Sequence, residues 1–481
     1  MKTFKSILLG LTIFLVLGLG VHFAYSQTKM NVGPASHTQV KGVLPIANGG
    51  TGLNTIGTLN QILQSTGGAA QWTSTLTNIV FDSGGAVVNV ISQGAVGNGS
   101  TNDTTAIQNA INTACNGTVY ATVVIPGGKT FLIGTGGITV PSNCRITGGG
   151  TIIYASSSNA PFVIGSNTEV DHLLFNGSNN IGVAVLGNNS SNNLHVDHSL
   201  FENFPNGSLC FATCGAISPV PNNVLIDHNF FQNNEDGSAT PPIFNIQCGD
   251  NVTGFKVEDN IFVGDGDFDI GADGCQNVEI SGNIIKQGTN GFGGGIQPEA
   301  TSFSMTGLTI TNNLIANPHF ADGYSGCGIE MHTNGNGGSG LGAHILGQFI
   351  VSGNYVTGAP GGGICLFYTT NDTNTPGVVA NNFTYKNTGA GLNLQGGNLL
   401  VSGNLSMDNT GSGIAVSCIV QPCNIVGNTA TDDQSSKTQT YGLSIAGSPW
   451  LAVTGNGTND FDGNLTGTVS KGSAFNSPTV Y

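Results

Sequence analysis

Hydrophobic and polar positions repeat at a regular interval along most of this chain. Each repeat has a β-branched residue, two small or polar residues, an asparagine and a further apolar residue. The repeats are Ile226–Asn229, Val257–Asn260, Ile280–Asn283, Ile310–Asn313, Val351–Asn354, Val379–Asn382, Val401–Asn404, Ile425–Asn428 and Val453–Asn456. Eight steps span 227 residues, so the period is about 28 residues. Short alternating segments at this period predict a β-solenoid.

The repeated asparagines are predicted to be structural. Asparagine tolerates the left-handed conformation of a tight corner, and its side chain can bond the equivalent residue one coil away. Weaker copies at Val170–Leu173 and Val196–Ser199 extend the series towards the N-terminus. We therefore expect an asparagine ladder rather than catalytic residues at these positions.

A single helix is predicted at the start of the solenoid. Asp103 or Thr104 can cap a helix whose apolar side chains are spaced by three or four residues. Those side chains are Ala106, Ile107, Ala110, Ile111 and Ala114. Stacked strands leave an open end with unpaired backbone groups, and this helix would cover it.

Composition narrows the possible partners. The chain has 75 glycines, 8% charged residues and a net charge of -15. Because 38% of its residues are hydrophobic, a large core can form and disorder is not expected. Arg145 is the only arginine. Because nucleic-acid binding needs many basic side chains to neutralise phosphates, we expect no nucleic-acid partner.

The N-terminus predicts export. Lys2 and Lys5 precede an apolar run and the small-residue site Ala24-Tyr25-Ser26, so residues 1–26 are interpreted as a cleaved signal peptide. An uncleaved anchor is the alternative, but about fifteen apolar residues fall short of the roughly twenty that span a bilayer. The mature chain is expected to be extracellular or at the cell surface, with no membrane span.

The chain has ten cysteines, an even number, and disulfides can form between them because an exported protein meets oxidising conditions. Cys210 with Cys214 and Cys418 with Cys423 are predicted local pairs. Cys248 and Cys275 lie 27 residues apart, about one solenoid turn. Unpaired, buried cysteines are the alternative.

Two segments resemble known families. Residues 94–107 and 123–133 resemble the opening signature of the pectate-lyase-like superfamily, which includes polygalacturonases, glucanases and phage tailspikes. This resemblance implies an all-β, right-handed parallel β-helix over residues 86–465, with a tail over 466–481. The superfamily includes hydrolases, lyases, epimerases and binding proteins, so it does not fix a reaction. Residues 27–80 resemble an attachment module of phage tail fibres; a glycine-rich linker is the alternative.

A second strand in each repeat opens with glycine and alternates in polarity, as in Gly295–Glu299, Gly328–His332 and Gly363–Phe367. The third and fifth positions are predicted to face solvent. Aligning Phe268–Gly271 with these strands places Asp269 in the row of Gln297 and Glu330. The neighbouring row then contains Glu299, His332 and Phe367.

Asp269, Glu299, Glu330 and His332 are the predicted catalytic residues. Glycoside hydrolysis uses two carboxyl groups, about 5 Å apart for retention or about 6.5–9.5 Å for inversion. Asp269 and Glu330, two coils apart, would be separated by about 9.6 Å, and Glu299 between them could partner either one. Ordinary solvated residues on an outer face are the alternative interpretation.

Four further residues, Asp267, Gln297, Tyr324 and Phe367, are predicted to contact a sugar. Aromatic rings beside carboxylates suit sugar stacking. Phe367 covered by the following loop is the alternative.

Calcium is the one metal considered. Asp265, Asp267 and Asp273 could bind it through oxygen atoms, although an aspartate-rich surface turn is the alternative. The segment Asp267–Ile270 also resembles the aspartate-bearing strand of polygalacturonases. The other motifs of those enzymes have no counterparts in this sequence, and the nearest substitute for their Gly-His-Gly motif is Gly326-Cys327-Gly328. This argues against polygalacturonase activity.

The sequence therefore favours a secreted glycoside hydrolase that acts on a neutral polysaccharide and requires no cofactor. A non-catalytic, carbohydrate-binding or adhesive surface β-helix is the second hypothesis, and a polysaccharide lyase or epimerase the third. A monomer or a homotrimer is expected.

Overall fold

The computed structural model describes strands at residues 62–65, 70–73 and 79–80, and then residues 85–471. Within the latter range it omits 135, 156–161, 179–182, 188–190, 205–206, 212–220, 235–243, 250, 266–267, 288–293, 301–302, 320–325, 334–345, 368–375, 419–422, 447–450 and 454–458. The predicted signal peptide, and most of the predicted attachment module, lie outside the described residues.

The chain divides into two compact units, Met1–Leu76 and Thr77–Tyr481. In the first unit, β1 (Ile62–Ser65) and β2 (Ala70–Thr73) form an antiparallel pair in which Ile62 lies opposite Thr73. The second unit contains the repeats.

Three sheets make up the second unit. The first sheet contains β3 Ile79–Val80, β4 Ala86–Asn89, β6 Ala121–Val124, β9 Cys144–Thr147, β12 Thr168–Asp171, β15 Asn192–Asp197, β18 Asn222–Asp227, β21 Thr253–Glu258, β24 Gln276–Ser281, β27 Leu308–Thr311, β30 Phe349–Ser352, β33 Gly377–Ala380, β36 Leu399–Ser402, β39 Cys423–Val426 and β42 Leu451–Val453.

The second sheet contains β5 Asn98–Asn102, β7 Thr130–Ile133, β10 Thr151–Tyr154, β13 Leu174–Asn176, β16 Leu200–Glu202, β19 Phe230–Gln232, β22 Ile261–Val263, β25 Ile284–Lys286, β28 Leu314–Ala316, β31 Tyr355–Thr357, β34 Phe383–Tyr385, β37 Leu405–Met407 and β40 Thr429–Thr431.

The third sheet contains β8 Ile138–Val140, β11 Phe162–Ile164, β14 Val185–Gly187, β17 Leu209–Phe211, β20 Phe244–Gly249, β23 Phe268–Asp273, β26 Ile296–Ala300, β29 Cys327–Thr333, β32 Gly362–Phe367, β35 Ala390–Gly396, β38 Ile414–Cys418, β41 Tyr441–Ile445 and β43 Gly467–Lys471. Strand β43 lies beyond residue 465, where the solenoid was expected to end.

Successive strands visit the first, second and third sheets in turn, and each pairs in parallel with the strand one coil away. This arrangement confirms the predicted right-handed parallel β-helix. Inward-facing side chains stack from coil to coil: the rings of Phe175, Phe201, Phe231 and Phe262 lie 4.7–5.1 Å apart. The core is thus a set of aligned apolar rows.

The asparagine ladder is confirmed. Asn260 accepts a hydrogen bond at Oδ1 from the backbone N–H of Asn229, at 2.9 Å, and the same bond links each later pair. The rung after Asn428 is Asn459, because the backbone N–H of Asn428 donates to Oδ1 of Asn459; the predicted Asn456 lies outside the described residues. Each bond satisfies a backbone group at a corner that would otherwise be buried without a partner.

The left-handed residue is the one before the ladder asparagine, which corrects the expected conformation. His228, Asp259 and Asn312 have φ of 54°, 54° and 58°. The ladder residue itself keeps a negative φ, so its side chain is free to point along the solenoid axis towards the next coil.

The capping helix, α1, spans Thr104–Ala114 and packs on strands of the first coil. Ile107, Ala110, Ile111 and Ala114 are buried as predicted, whereas Ala106 is only partly buried. Asp103 is the N-cap residue, but its carboxylate accepts from the N–H groups of Val96 and Gly97 rather than from the helix. A 3-10 helix, Val90–Gln93, precedes α1.

Four disulfides are formed among the described residues, and the Cys418–Cys423 bridge joins residues only five apart in sequence. The predicted pairs Cys248–Cys275 and Cys418–Cys423 are present, and Cys115–Cys144 and Cys327–Cys365 are further bridges. Cys210 is also disulfide-bonded, but its predicted partner, Cys214, lies outside the described residues. Within the described part of the chain, no helix is both long and apolar enough to cross a membrane.

Candidate functional site

The outer face of the third sheet brings together most of the predicted catalytic residues. Pairing of β23, β26, β29 and β32 places four side chains in one row. The row reads Asp273, Glu299, His332 and Phe367. Glu330 lies two residues before His332 on β29, so it shares the outward face of that strand.

Glu330 and His332 form a buried pair. The Nε2 atom of His332 is 2.5 Å from Oε1 of Glu330, and the backbone N–H of Cys327 donates to Oε2 at 2.8 Å. The two residues are only 1% and 7% exposed. The sequence predicted that outward positions here face solvent, and that prediction is wrong for this pair. Both oxygens of Glu330 are therefore held in fixed directions.

Glu299 has the electrostatics of a proton donor. Its pKa is raised from an ordinary 4.5 to about 7, chiefly by burial; His332 lowers the pKa, and the carboxylates of Asp273 and Glu330 raise it. A carboxyl group with such a pKa is partly protonated at neutral pH. This is the usual property of a general acid in glycoside hydrolysis.

The predicted register of Asp269 is wrong. Gly271, not Asp269, pairs with Gln297, and Asp273 rather than Gly271 pairs with Glu299. A shift of two residues keeps the alternation of apolar and polar positions intact, so the polarity pattern did not expose the error. Asp269 is therefore two positions out of line with the row of Gln297 and Glu330.

Asp269 belongs to a buried polar cluster at the corner between the second and third sheets. It is 1% exposed and accepts a hydrogen bond from Asn245 at 3.0 Å. It also hydrogen-bonds Asp265, and burial raises the pKa of Asp269 to about 7. Asp265 in turn accepts from the backbone N–H of Asn234. The pair of carboxyl groups must share a proton, because two buried like charges in contact are unfavourable.

The predicted calcium ligands are not assembled in the described residues. Asp265 contacts Asp269 and Asn234, whereas Asp273 lies beside Glu299. Asp267 lies outside the described residues.

The predicted sugar contacts have mixed outcomes. Gln297 is 4% exposed, and Phe367 is half-buried with its ring 5.2 Å from that of His332. Phe367 therefore joins the row of Glu299 and His332 as expected. Tyr324 lies outside the described residues.

A second polar cluster, on the outer face of the first sheet, was not foreseen. One row contains Arg145, Glu169 and His195, and the next contains Asp171, Asp197 and Asp227. Their contacts include an Arg145–Asp171 ion pair and a 2.6 Å contact between His195 and Asp227.

Three stacked imidazoles border this cluster. His172, His198 and His228 have ring centroids 5.0 Å apart, and each is held by the aspartate that precedes it. The signal for them was the recurrence of Asp-His at one position of three successive repeats, at residues 171–172, 197–198 and 227–228. We interpreted those segments only as rungs of the ladder.

Comparisons with known proteins agree with the fold. Residues 87–315 match the family model described as rhamnogalacturonase A/epimerase, pectate lyase-like. No curated protein matches the chain by sequence.

Among solved structures, a mutant tailspike protein of E. coli bacteriophage HK620 in complex with a pentasaccharide is 15% identical, with a TM-score of 0.57 over 83% of this chain and 76% of the tailspike chain. The A-module of the mannuronan C-5 epimerase AlgE4 from Azotobacter vinelandii is also 15% identical, with a TM-score of 0.50 over 82% of this chain and 99% of the module. The Agl-KA catalytic domain is 16% identical, with a TM-score of 0.51 over 85% and 71%.

These findings, with the sheet topology, define the class. The chain has a parallel β-helix fold, and residues 87–315 of it match a pectate-lyase-like family model.

Proposed function

We propose that this chain is a secreted enzyme that cleaves a polysaccharide by hydrolysis on the outer face of its third sheet. The observation that carries the proposal is Glu299, a carboxyl group with a pKa raised to about 7 beside the oriented Glu330–His332 pair. Hydrolysis of a glycosidic bond needs one protonated and one ionised carboxyl group. This face places two carboxyl groups, Glu299 and Glu330, in adjacent coils.

Glu299 acts as the general acid in this proposal. It donates its proton to the glycosidic oxygen as the bond to the leaving sugar breaks. Glu330 accepts a proton from the attacking water, and His332 and the N–H of Cys327 hold its carboxylate in position. Water then adds to the sugar carbon, and the leaving sugar departs with the proton from Glu299.

The register favours inversion. Glu299 pairs with His332, two residues along the strand from Glu330. Adjacent strands are about 4.8 Å apart and successive residues about 3.3 Å apart, so the Cα atoms of Glu299 and Glu330 are separated by about 8 Å. Carboxyl groups about 6.5–9.5 Å apart leave room for a water molecule. Asp269 has no part in this step, since its carboxyl group is bonded to Asn245 and Asp265.

A neutral glycan suits the charge of the protein. The net charge is -15, and the carboxyl groups of the site would repel a uronate polymer. Phe367 offers a ring beside His332 on which a sugar can stack, and Gln297 offers an amide nearby. No cofactor is required, and the enzyme is a monomer or a homotrimer at or outside the cell surface.

Two other functions remain candidates for the same fold. A non-catalytic glycan binder would use the same face without turnover. A lyase or epimerase would act on uronates, and the structural similarity to a mannuronan epimerase keeps that hypothesis open. The family matched over residues 87–315 also names both a hydrolase and an epimerase.

One experiment separates the three functions. The mature protein is incubated with a panel of neutral and uronic glycans while reducing ends and the absorbance of unsaturated products are measured. New reducing ends without unsaturation support hydrolysis. Unsaturated products indicate a lyase, altered uronate composition without cleavage indicates an epimerase, and binding without any product indicates an adhesin.

A further inference from the structure

We propose that Glu169, His195 and Asp197, on the outer face of the first sheet, form a binding site for a divalent transition ion of the zinc type. One ligand atom from each residue lies within 4.8 Å of the others. Glu169 and His195 are paired across adjacent strands, and Asp197 is two residues along from His195 on the same face. The site is separate from the carboxyl groups of the third sheet.

An unsatisfied buried oxygen points to a ligand. Asp197 is 6% exposed, and no donor among the described residues forms a hydrogen bond to its Oδ1 atom. That oxygen is 3.9 Å from Nε2 of His195. Its other oxygen is occupied by Nδ1 of His198 at 2.6 Å. Because a buried carboxylate oxygen without a partner is costly, an ion at this position would remove the penalty.

The surroundings are already arranged for an ion. His198 fixes the direction of the Asp197 carboxylate, which is the role that outer partners have around metal ligands. The side chains of Glu169 and His195 are 25% and 34% exposed, so an ion can reach them from solvent. With bonds of about 2.0–2.2 Å, ligand atoms of a tetrahedral site are about 3.4 Å apart, so side-chain shifts of roughly 1 Å suffice.

The charge balance also favours a cation. Arg145 is paired with Asp171 and also lies 3.6 Å from Glu169, so one permanent cation faces the four carboxylates of Glu169, Asp171, Asp197 and Asp227. Nε2 of His195 now contacts Oδ1 of Asp227 at 2.6 Å, and an ion on this nitrogen would replace that hydrogen bond. Asp227 would then lie close enough to neutralise the ion.

The donor set selects the class of ion. One imidazole and two carboxylates suit zinc and its neighbours in the first transition row. Calcium prefers six to eight oxygen ligands, so it should bind this site poorly. Three protein ligands leave a coordination position for water.

Calorimetric titration of the tag-free, chelator-treated protein with zinc chloride tests the proposal. We expect one zinc ion per chain at this site, a rise in melting temperature with zinc, and little response to calcium. The variants H195Q and D197N should each weaken zinc binding by about a hundredfold or more. D197N keeps a side-chain oxygen for the contact with His198, so its metal-free melting temperature should stay close to that of the unaltered protein.

H228Q is the matched control, because His228 belongs to the stacked imidazoles but not to the three proposed ligands. It should retain zinc binding close to that of the unaltered protein. E169Q provides a further ligand variant if D197N does not fold. Absence of zinc binding to the unaltered protein would overturn the site. Zinc binding that H195Q and E169Q leave unchanged, but that H228Q removes, would overturn it as well.

Discussion

The outer faces of the first and third sheets both carry clusters of acids and histidines, but the stacked histidines of the first sheet are far more exposed than His332 of the third. On the third sheet, Glu330 and His332 are 1% and 7% exposed. On the first sheet, the side chains of His172, His198 and His228 are 58%, 49% and 50% exposed. Charge density alone therefore does not identify a catalytic centre: of these two clusters, the one on the third sheet contains a carboxyl group, Glu299, whose pKa is raised to about 7.

The largest expected effect distinguishes the two faces directly. E330Q should lower the rate of cleavage by roughly a thousandfold, because it removes the proton acceptor. The control is E279Q, at a glutamate on the outer face of the first sheet, which should leave the rate of cleavage unchanged. Initial rates on the glycan identified by the panel provide the measurement. A fully active E330Q would remove Glu330 from the mechanism.

E330Q should also cost some stability, contrary to what an exposed outward carboxylate would predict. Glu330 is buried and accepts from the N–H of Cys327 while contacting His332, so we expect a loss of about 1–2 kcal/mol. Thermal unfolding with and without the substitution measures it. An unchanged melting temperature would show that the pair adds no net stability.

The buried Asp265–Asp269 pair predicts a pH dependence of stability. The pKa of Asp269 is raised in the folded state from 3.8 to about 7, so the folded state binds the proton more tightly than the unfolded state. The stabilisation is complete below pH 3.8 and is lost as the pH rises through about 7. It amounts to a few kcal/mol at most.

D269N should therefore flatten the fall in melting temperature between pH 3.8 and about pH 7, because an amide does not ionise. D462N, an exposed aspartate near the C-terminal end, is the control and should leave the curve as it is. If D269N and the unaltered protein show the same slope, the proton is not held at Asp269.

A smaller effect is expected at Phe367. F367A should raise KM by about tenfold with little change in kcat, since it removes a stacking surface but no proton-transfer group. F303A, at a more exposed phenylalanine, should change neither constant. A large fall in melting temperature of F367A with KM intact would show that Phe367 supports the fold instead.

The smallest effect is expected from calcium. Removing it with a chelator should leave the initial rate of cleavage unchanged, because the proposed acid and base need no metal. Loss of activity that calcium restores would revive the lyase hypothesis.

The repeat, the ladder and the capping helix could be predicted from the sequence because each depends on local chemistry. Asparagines at a fixed interval specify the ladder, and apolar residues spaced by three or four positions specify the helix. Each pattern can be recognised directly in the amino-acid sequence. The same reasoning placed Glu299 beside His332 and His332 beside Phe367 correctly.

The register of Asp269 and the burial of Glu330 could not be predicted in this way. Phe268, Ile270 and Ala272 alternate along one strand, so shifting the alignment by two residues preserves the apolar pattern. Burial depends on residues far apart in the chain. The missed first-sheet cluster was visible as repeated Asp-His pairs, but their meaning requires knowing which side chains adjacent coils bring together.

Glu299 is proposed to carry a proton near neutral pH, and titration of its carboxyl group tests this proposal. Carbon-13 spectra of glutamate-labelled protein, with E299Q to assign the Glu299 resonance, report its protonation from pH 4 to pH 9. We expect a midpoint near 7 for Glu299. A midpoint near the ordinary value of 4.5 would mean that Glu299 is ionised at neutral pH and cannot be the general acid.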